Sequence, residues 1–115
     1  MVVNDASMKM KIVKIKPKKL AKMMKEKDIF ILDVRPKDFK RDSSFIVGSI
    51  HCPLLDLTER YREFPKNKEI VITDWAMRQS TLAAKYLTKE GYKVTGVLKG
   101  GIERWKHDNL PVENR

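Results

Sequence analysis

The stretch EIVITDWAMRQSTLAAKYL, residues 69–87, is the part of the chain whose residue types and spacing could support chemistry. An apolar run ends at Asp74, and a helical pattern is under way by Ser80. A strand that leads through a short loop into a helix gathers the N–H groups of the helix N-terminus, which attract anions. The candidate site residues of this predicted active-site loop are Asp74, Trp75, Ala76, Met77, Arg78, Gln79 and Ser80.

Three roles are open to Asp74 at the head of this loop. Its carboxylate could accept N–H bonds from the loop and the first helical turn, as a cap that contributes about 0.5–2 kcal/mol. It could instead face outward and offer a carboxylate to a partner or a cation. The third role, an aspartyl nucleophile for phosphate, normally needs a metal held by further carboxylates, and the sequence has no such cluster around the loop. We therefore expect the cap, in which the carboxylate occupies the anion cradle of the loop itself.

The elements that must position this loop alternate between strand and helix patterns. Apolar runs or alternation predict strands at residues 11–15, at 28–34, just before Pro53, at 70–73 and at 93–98. Helical spacing extends from Pro17 to residue 27, over 54–64, from residue 79 to a C-terminal Gly91, and onward from Gly100. This alternation predicts an α/β fold with a mainly parallel five-stranded sheet and helices on both faces. Ligand sites in such sheets lie beyond the carboxyl ends of the strands, which places residues 33–35, 74–80 and 99–101 near one another.

Length and composition limit the class of protein. A chain of 115 residues suffices for one domain with one core, so we expect residues 11–115 to form it and residues 1–10 to be a disordered or extended tail. A single Cys excludes an internal disulfide, and the sequence shows neither a signal-peptide pattern nor an apolar run long enough to span a membrane. The expectation is a cytoplasmic protein without membrane contact.

The formal charge of +10 is concentrated in the first quarter of the chain. Residues 1–27 carry nine Lys against Asp5 and Glu26, a net charge of +7, which leaves +3 for residues 28–115. Such a Lys-rich region could bind nucleic acid or another polyanion. No aromatic residues interleave with these lysines to stack on bases, so a solvated helix face is the favoured interpretation.

Four segments, taken in chain order, resemble the rhodanese-like sulfurtransferase domains. They are ILDVRPKDF, FIVGSIHCPL, the strand, loop and helix of residues 70–87, and GYKVTGVLKGGIERWKHDNLPV. The resemblance covers residues 12–112 and implies the rhodanese-like fold. For active members it implies a two-step reaction, in which a Cys in the loop takes sulfur from a donor and passes it to a nucleophilic acceptor. It also implies that Asp33, Arg35, Gly100 and Gly101 support the loop, with direct ligand contact by Arg35 as the lesser alternative.

The loop departs from the family pattern, Cys-x-x-Gly-x-Arg-Ser, at three positions when the alignment is anchored on Ser80. Gln79 stands where Arg is usual, Met77 where Gly is usual, and Asp74 where the Cys should be. A carboxylate cannot carry a transferable sulfur as a persulfide. A shift of one residue would place Arg78 on the Arg of the pattern, but residues 69–115 contain no Cys in any register. Met77 is expected either to be strained at a positive φ or to impose a different loop shape.

Cys52, in the segment SIHCPL, is the single thiol of the chain. We expect it to be a buried small hydrophobic residue. Its neighbour His51 should face the opposite way on a strand and pack half-exposed, and His107 should lie on the surface. Two His and one Cys, scattered along the chain, predict no metal site, and no cofactor is expected.

The favoured function is a binding or regulatory rhodanese-like domain without classical thiosulfate sulfurtransferase activity. Its partner would be another protein or a small anionic ligand, neither of which the sequence specifies, and it does not specify the oligomeric state. Two alternatives stay open, namely sulfur transfer through Cys52 or the thiol of a partner, and polyanion binding through the Lys-rich region.

Overall fold

A computed structural model of the chain describes residues 10–37 and 42–114. Apart from Met10, the tail expected at residues 1–10 lies outside the described residues, as does the middle of the turn-rich segment after β2. The strands are β1 (Lys14–Ile15), β2 (Ile29–Asp33), β3 (Ser44–Ile46), β4 (Ile50–His51), β5 (Glu69–Thr73), β6 (Lys93–Leu98) and β7 (Val112–Asn114). The α-helices are α1 (Pro17–Glu26), α2 (Leu57–Arg60), α3 (Ser80–Lys89) and α4 (Gly101–His107).

Five strands form one parallel sheet in the order β1-β6-β5-β2-β4. The predicted α/β fold with a five-stranded sheet is thereby confirmed. β5 lies at the centre of the sheet, where its Val71 is opposite Ile31 of β2 and its Ile72 is opposite Val97 of β6. Because all five strands run in the same direction, the carboxyl ends of β2, β5 and β6 lie side by side at one edge.

Apolar side chains are buried on both faces of the sheet, and helices cover both. The cluster on the α3 face includes Leu32, Ile70, Ile72, Ala83, Leu87 and Val97. The cluster on the face of α1 and α4 includes Leu20, Met23, Ile31, Val71, Ile102 and Trp105. Since successive residues of a strand point to opposite faces, this double burial explains why the central strands are apolar almost throughout. None of the helices within residues 10–37 and 42–114 combines the length and apolar character that a transmembrane span requires.

The segment 54–64 differs from the single helix that its apolar spacing predicts. It is divided into a 3₁₀ turn (Leu54–Asp56), the four-residue α2, and a second 3₁₀ turn (Tyr61–Glu63). A helix shorter than about 12–15 residues is only marginally stable by itself. The backbone conformation of this segment therefore depends on the packing of its side chains more than on their spacing. Leu57 and Phe64 are buried in the α3-face cluster and hold the segment to the sheet.

A second, two-stranded sheet is an addition to the predicted fold. β7 pairs antiparallel with β3, so that Ser44 is opposite Asn114 and Ile46 is opposite Val112. Three-residue strands carry too little alternation to be read from sequence. This pairing ties the end of the chain to the segment that precedes β4.

Candidate functional site

The candidate site lies at the carboxyl edge of the sheet, in the loop between β5 and α3. Residues 75–79 connect Asp74, which directly follows β5, to Ser80, the first residue of α3. On one side the chain leaves β2, where the Val34 N–H donates to the Thr73 carbonyl oxygen at 3.0 Å. On the other side residues 99–101 lead from β6 into α4. The structure therefore brings together the three segments that the parallel topology places at this edge.

The Asp74 carboxylate points into the loop. Its Oδ1 accepts a hydrogen bond from the Met77 N–H, and its Oδ2 accepts one from the Gln79 N–H and one, at 3.1 Å, from the Ser80 N–H. Asp74 is only 2% exposed. Gln79, the residue before α3, makes no side-chain capping bond, so Asp74 caps this helix from several residues upstream. A carboxylate thus fills the point at which the loop N–H groups converge.

Met77 occupies a strained backbone position within the loop. Its φ is +76°, in the left-handed region that costs a residue other than Gly about 1–2 kcal/mol. Its side chain is half-buried against the α3-face cluster, and its Sδ accepts a hydrogen bond from the Gly100 N–H at 2.9 Å. Of the two outcomes expected for Met77, strain at a positive φ is therefore the one observed.

The start of α4 holds the loop backbone from the other side. The N–H groups of Ile102 and Glu103 donate to the carbonyl oxygens of Asp74 and Trp75, at 2.9 and 3.1 Å. Gly101 permits this approach, because a Cβ there would lie 2.3 Å from the Trp75 carbonyl oxygen and because its φ is +65°. The physical role of this glycine is to let α4 and the loop meet backbone to backbone.

Asp33 and Arg35 form a buried ion pair beside the loop. The Arg35 Nη2 lies 2.7 Å from the Asp33 Oδ2 and also donates to the Ser44 carbonyl oxygen at 2.7 Å. The Arg35 N–H donates to the Asp33 Oδ1 at 3.1 Å. The pair therefore closes a turn at the end of β2 and ties this turn to β3.

A cavity of about 300 Å³ opens next to the loop. It is lined by Arg35, Pro36, Asp74, Trp75, Ala76, Arg78, Gln79 and Glu103. Two of the lining side chains are cationic and two are anionic, and one of the cations, Arg35, is already paired with Asp33. Glu103 was not among the residues predicted from sequence. The double glycine at the start of α4 was a usable signal, because it places the first turn of that helix at the same edge of the sheet.

Cys52 lies in the core rather than in this cavity. It is fully buried in the α3-face cluster, and its Sγ lies 3.8 Å from the Pro53 carbonyl oxygen. Burial raises the pKa of the Cys52 thiol, which disfavours the thiolate that sulfur chemistry requires. The His51 Nε2 lies 2.8 Å from the Arg35 carbonyl oxygen, and His107 is exposed. Within the described part of the chain, no three His, Cys, Asp or Glu side chains group as metal ligands.

Comparison with known proteins assigns the chain to a family. The rhodanese-like domain family matches residues 16–108. The chain belongs to the rhodanese-like domain family. The thiosulfate sulfurtransferase GlpE of Coxiella burnetii is 30% identical over 84 residues, which cover 73% of this chain and 78% of that protein. A sulfurtransferase of Allochromatium vinosum is 29% identical over 86 residues, which cover 74% of this chain and 78% of that protein.

Solved structures of rhodanese-related proteins are also similar to this chain. The crystal structure of a rhodanese-related protein from Thermoplasma volcanium matches with a TM-score of 0.78 at 25% identity, over 87% of this chain and 96% of that one. This rhodanese-like domain thus has the fold of its family, and a carboxylate, Asp74, stands at the head of the loop that follows β5.

Proposed function

We propose that this rhodanese-like domain acts by binding, and that its loop does not transfer sulfur. The observation that carries the proposal is the Asp74 carboxylate, which accepts the N–H groups of Met77, Gln79 and Ser80. In a loop of this kind those N–H groups would otherwise stabilise an anionic sulfur. A carboxylate in their midst forms no persulfide and leaves none of the three N–H groups available to hold one.

The balanced charge of the loop cavity bears on the kind of partner. Arg78 faces a lining that already contains Asp74 and Glu103, and the charge of Arg35 is paired with Asp33, so a lone anion gains little net attraction there. A polar segment of a partner protein, which offers both hydrogen-bond donors and acceptors, suits this lining better. The half-buried Trp75 adds an aromatic surface on which such a segment can pack.

Cys52 is the other residue through which sulfur transfer could proceed. Its thiol is fully buried and its pKa is raised by that burial. Attack on a sulfur donor would require the α3-face cluster to open, so this alternative is the weaker one.

The direct test is the formation of thiocyanate from thiosulfate and cyanide by the wild-type chain and by Cys52→Ala. We expect no turnover above that of the buffer in either protein. Turnover that survives Cys52→Ala would overturn the proposal. Turnover that is lost in Cys52→Ala would assign the activity to the buried thiol and would overturn it as well.

A gain-of-function variant tests the cause of the inactivity. In a Cys52→Ala background, Asp74→Cys places the single thiol of the chain at the head of the loop. The thiolate should attack the outer sulfur of thiosulfate, so that the S–S bond of thiosulfate breaks and sulfite leaves with the bonding electrons. The product is a persulfide, detected by mass spectrometry as the gain of one sulfur atom, and Asp74→Ser in the same background is the matched control. A folded Asp74→Cys protein that gains no sulfur would show that the inactivity does not rest on Asp74 alone.

A further inference from the structure

A second cavity, of about 560 Å³, lies where the start of α1 meets the segment between β6 and α4. Four of the side chains that line it are cationic, namely Lys16, Lys18, Lys99 and Arg104. They come from three separate parts of the fold. This basic cavity shares no lining residue with the cavity beside Asp74.

The positive charge of the basic cavity is mostly unopposed. Asp108 is its one acidic lining residue, and its Oδ1 lies 3.3 Å from the Arg104 Nε. Lys16, Lys18 and Lys99 form no ion pair with an acidic group among residues 10–37 and 42–114. The lining therefore carries a formal charge of +3, from four cations and one carboxylate. The four cationic side chains are exposed where they line the cavity. Like charges around one cavity repel one another, and a bound anion would reduce that repulsion.

The arrangement at the start of α1 adds to this excess of positive charge. The first turn of α1 contains no acidic residue, and Lys16 makes no side-chain capping bond. Lysines at the positive end of a helix dipole are the reverse of the stabilising arrangement. Their presence beside Lys99 and Arg104, which are distant in the chain, concentrates positive potential at one cavity instead of spreading it along the helix.

We propose that the basic cavity binds a small phosphorylated ligand of about two to four negative charges, of the phosphoanhydride class to which nucleoside diphosphates belong. The charge of the ligand matches the +3 of the lining. Pro17 and Met77 provide an apolar wall on which the carbon part of such a ligand can pack. Because Met77 belongs to the active-site loop, the ligand would also contact the loop that Asp74 caps.

The test uses the full chain, with inorganic pyrophosphate and ADP as probes in isothermal titration at low salt. We expect saturable binding of one ligand per chain. The double variant Lys16→Ala, Lys99→Ala should weaken that binding at least about tenfold, because charge-assisted hydrogen bonds to phosphate are lost. The matched control is Lys25→Ala, which removes an exposed Lys from the far end of α1 that does not line the cavity. It should change the affinity by less than about twofold.

Three results would overturn this proposal. The first is the absence of saturable binding of either probe at millimolar concentration. The second is an equal loss of affinity in Lys25→Ala and in the double variant, with both proteins shown to be folded by their melting temperatures. The third is tighter binding of single-stranded DNA that Lys25→Ala weakens as much as the double variant, which would assign the lysines to diffuse contact with nucleic acid. None of these measurements involves Asp74 or sulfur transfer, so their outcome is independent of the function proposed above.

Discussion

Removal of the Asp74 carboxylate is the perturbation to which this structure should respond most clearly. The carboxylate accepts three backbone N–H bonds, two on Oδ2 and one on Oδ1. A hydrogen bond to a charged acceptor contributes roughly 1.5–3 kcal/mol, and a helix cap contributes about 0.5–2 kcal/mol. The full sum is not lost in Asp74→Ala, because Asp74 and Gln79 line the cavity of about 300 Å³ beside the loop and water from it can replace part of the carboxylate's hydrogen bonding. We expect Asp74→Ala to lower the free energy of unfolding by about 2–4 kcal/mol.

Urea denaturation and thermal melting of matched variants measure this cost. For a domain of this size the expected loss lowers the melting temperature by roughly 5–20 °C. Asp28→Ala is the control, since the Asp28 side chain is 75% exposed and pairs with Lys68 at 2.8 Å. Loss of such a surface pair should cost less than about 1 kcal/mol. If Asp74→Ala cost no more than Asp28→Ala, the carboxylate would not be the cap described here.

The stabilisation of Asp74→Ala by added anions provides a second measurement. Sulfate or thiosulfate should stabilise Asp74→Ala more than the wild-type protein, because in the wild type the carboxylate already occupies the converging N–H groups. At a concentration ten times the dissociation constant the extra stabilisation is about 1.4 kcal/mol. Any effect of anions elsewhere on the molecule is common to both proteins and cancels in the difference. An equal effect of sulfate on the two proteins would refute the view that the loop is an anion cradle.

Three further predictions concern the elements around the loop. Gly101→Ala should destabilise the domain by about 3 kcal/mol or more, because the added Cβ would meet the Trp75 carbonyl oxygen at 2.3 Å; a melting temperature close to that of the wild type would contradict this. Met77→Gly should be more stable than Met77→Ala by about 1 kcal/mol in urea, because both lose the same side-chain packing and only Gly relieves the φ of +76°; the opposite order would show that this position is not strained. Burial alone would raise the pKa of Asp42, but hydrogen bonds, foremost that from Lys106, outweigh burial and lower the pKa from 3.8 to about 2. That shift corresponds to about 2 kcal/mol, reduced here to about 1–2 kcal/mol because Lys106 is 40% exposed. The free energy of unfolding of the wild type should therefore exceed that of Asp42→Asn by this full amount above about pH 4, and the difference should be lost as the pH falls through about 2. A difference that stays constant in urea titrations over this pH range would contradict the assignment.

Local patterns in the sequence were sufficient to predict the main sheet, and the reason lies in its burial. The runs around Ile70 and Val97 are apolar because both of their faces are covered, and a run of that kind identifies a central strand of a parallel sheet. For segment 54–64 the prediction of a single helix from its apolar spacing was wrong. The segment is too short for a stable isolated helix, so tertiary contacts determine its backbone conformation. β7 gave no local signal, because its pairing with β3 joins residues far apart in the chain.

The loop shows the same division between local and long-range information. Its start at Asp74 and its end at Ser80 were visible as residue types at known spacings, and the conflict at Met77 followed from the resemblance to a family pattern that has Gly there. The contact of Gly101 with the Trp75 carbonyl oxygen was not visible, because it depends on the way in which α4 returns to the edge of the sheet.

By itself, the sequence determined that a carboxylate and no thiol stands at the head of the loop, and that strands and helices alternate around it. Only the tertiary structure decided that this carboxylate points inward and that Lys16 and Lys99 line one cavity. The physical reason is that residue identity and periodicity are local properties of the chain. The direction of a side chain and the meeting of distant charges depend instead on backbone angles that long-range packing imposes, here through the start of α4 and the positive φ of Met77.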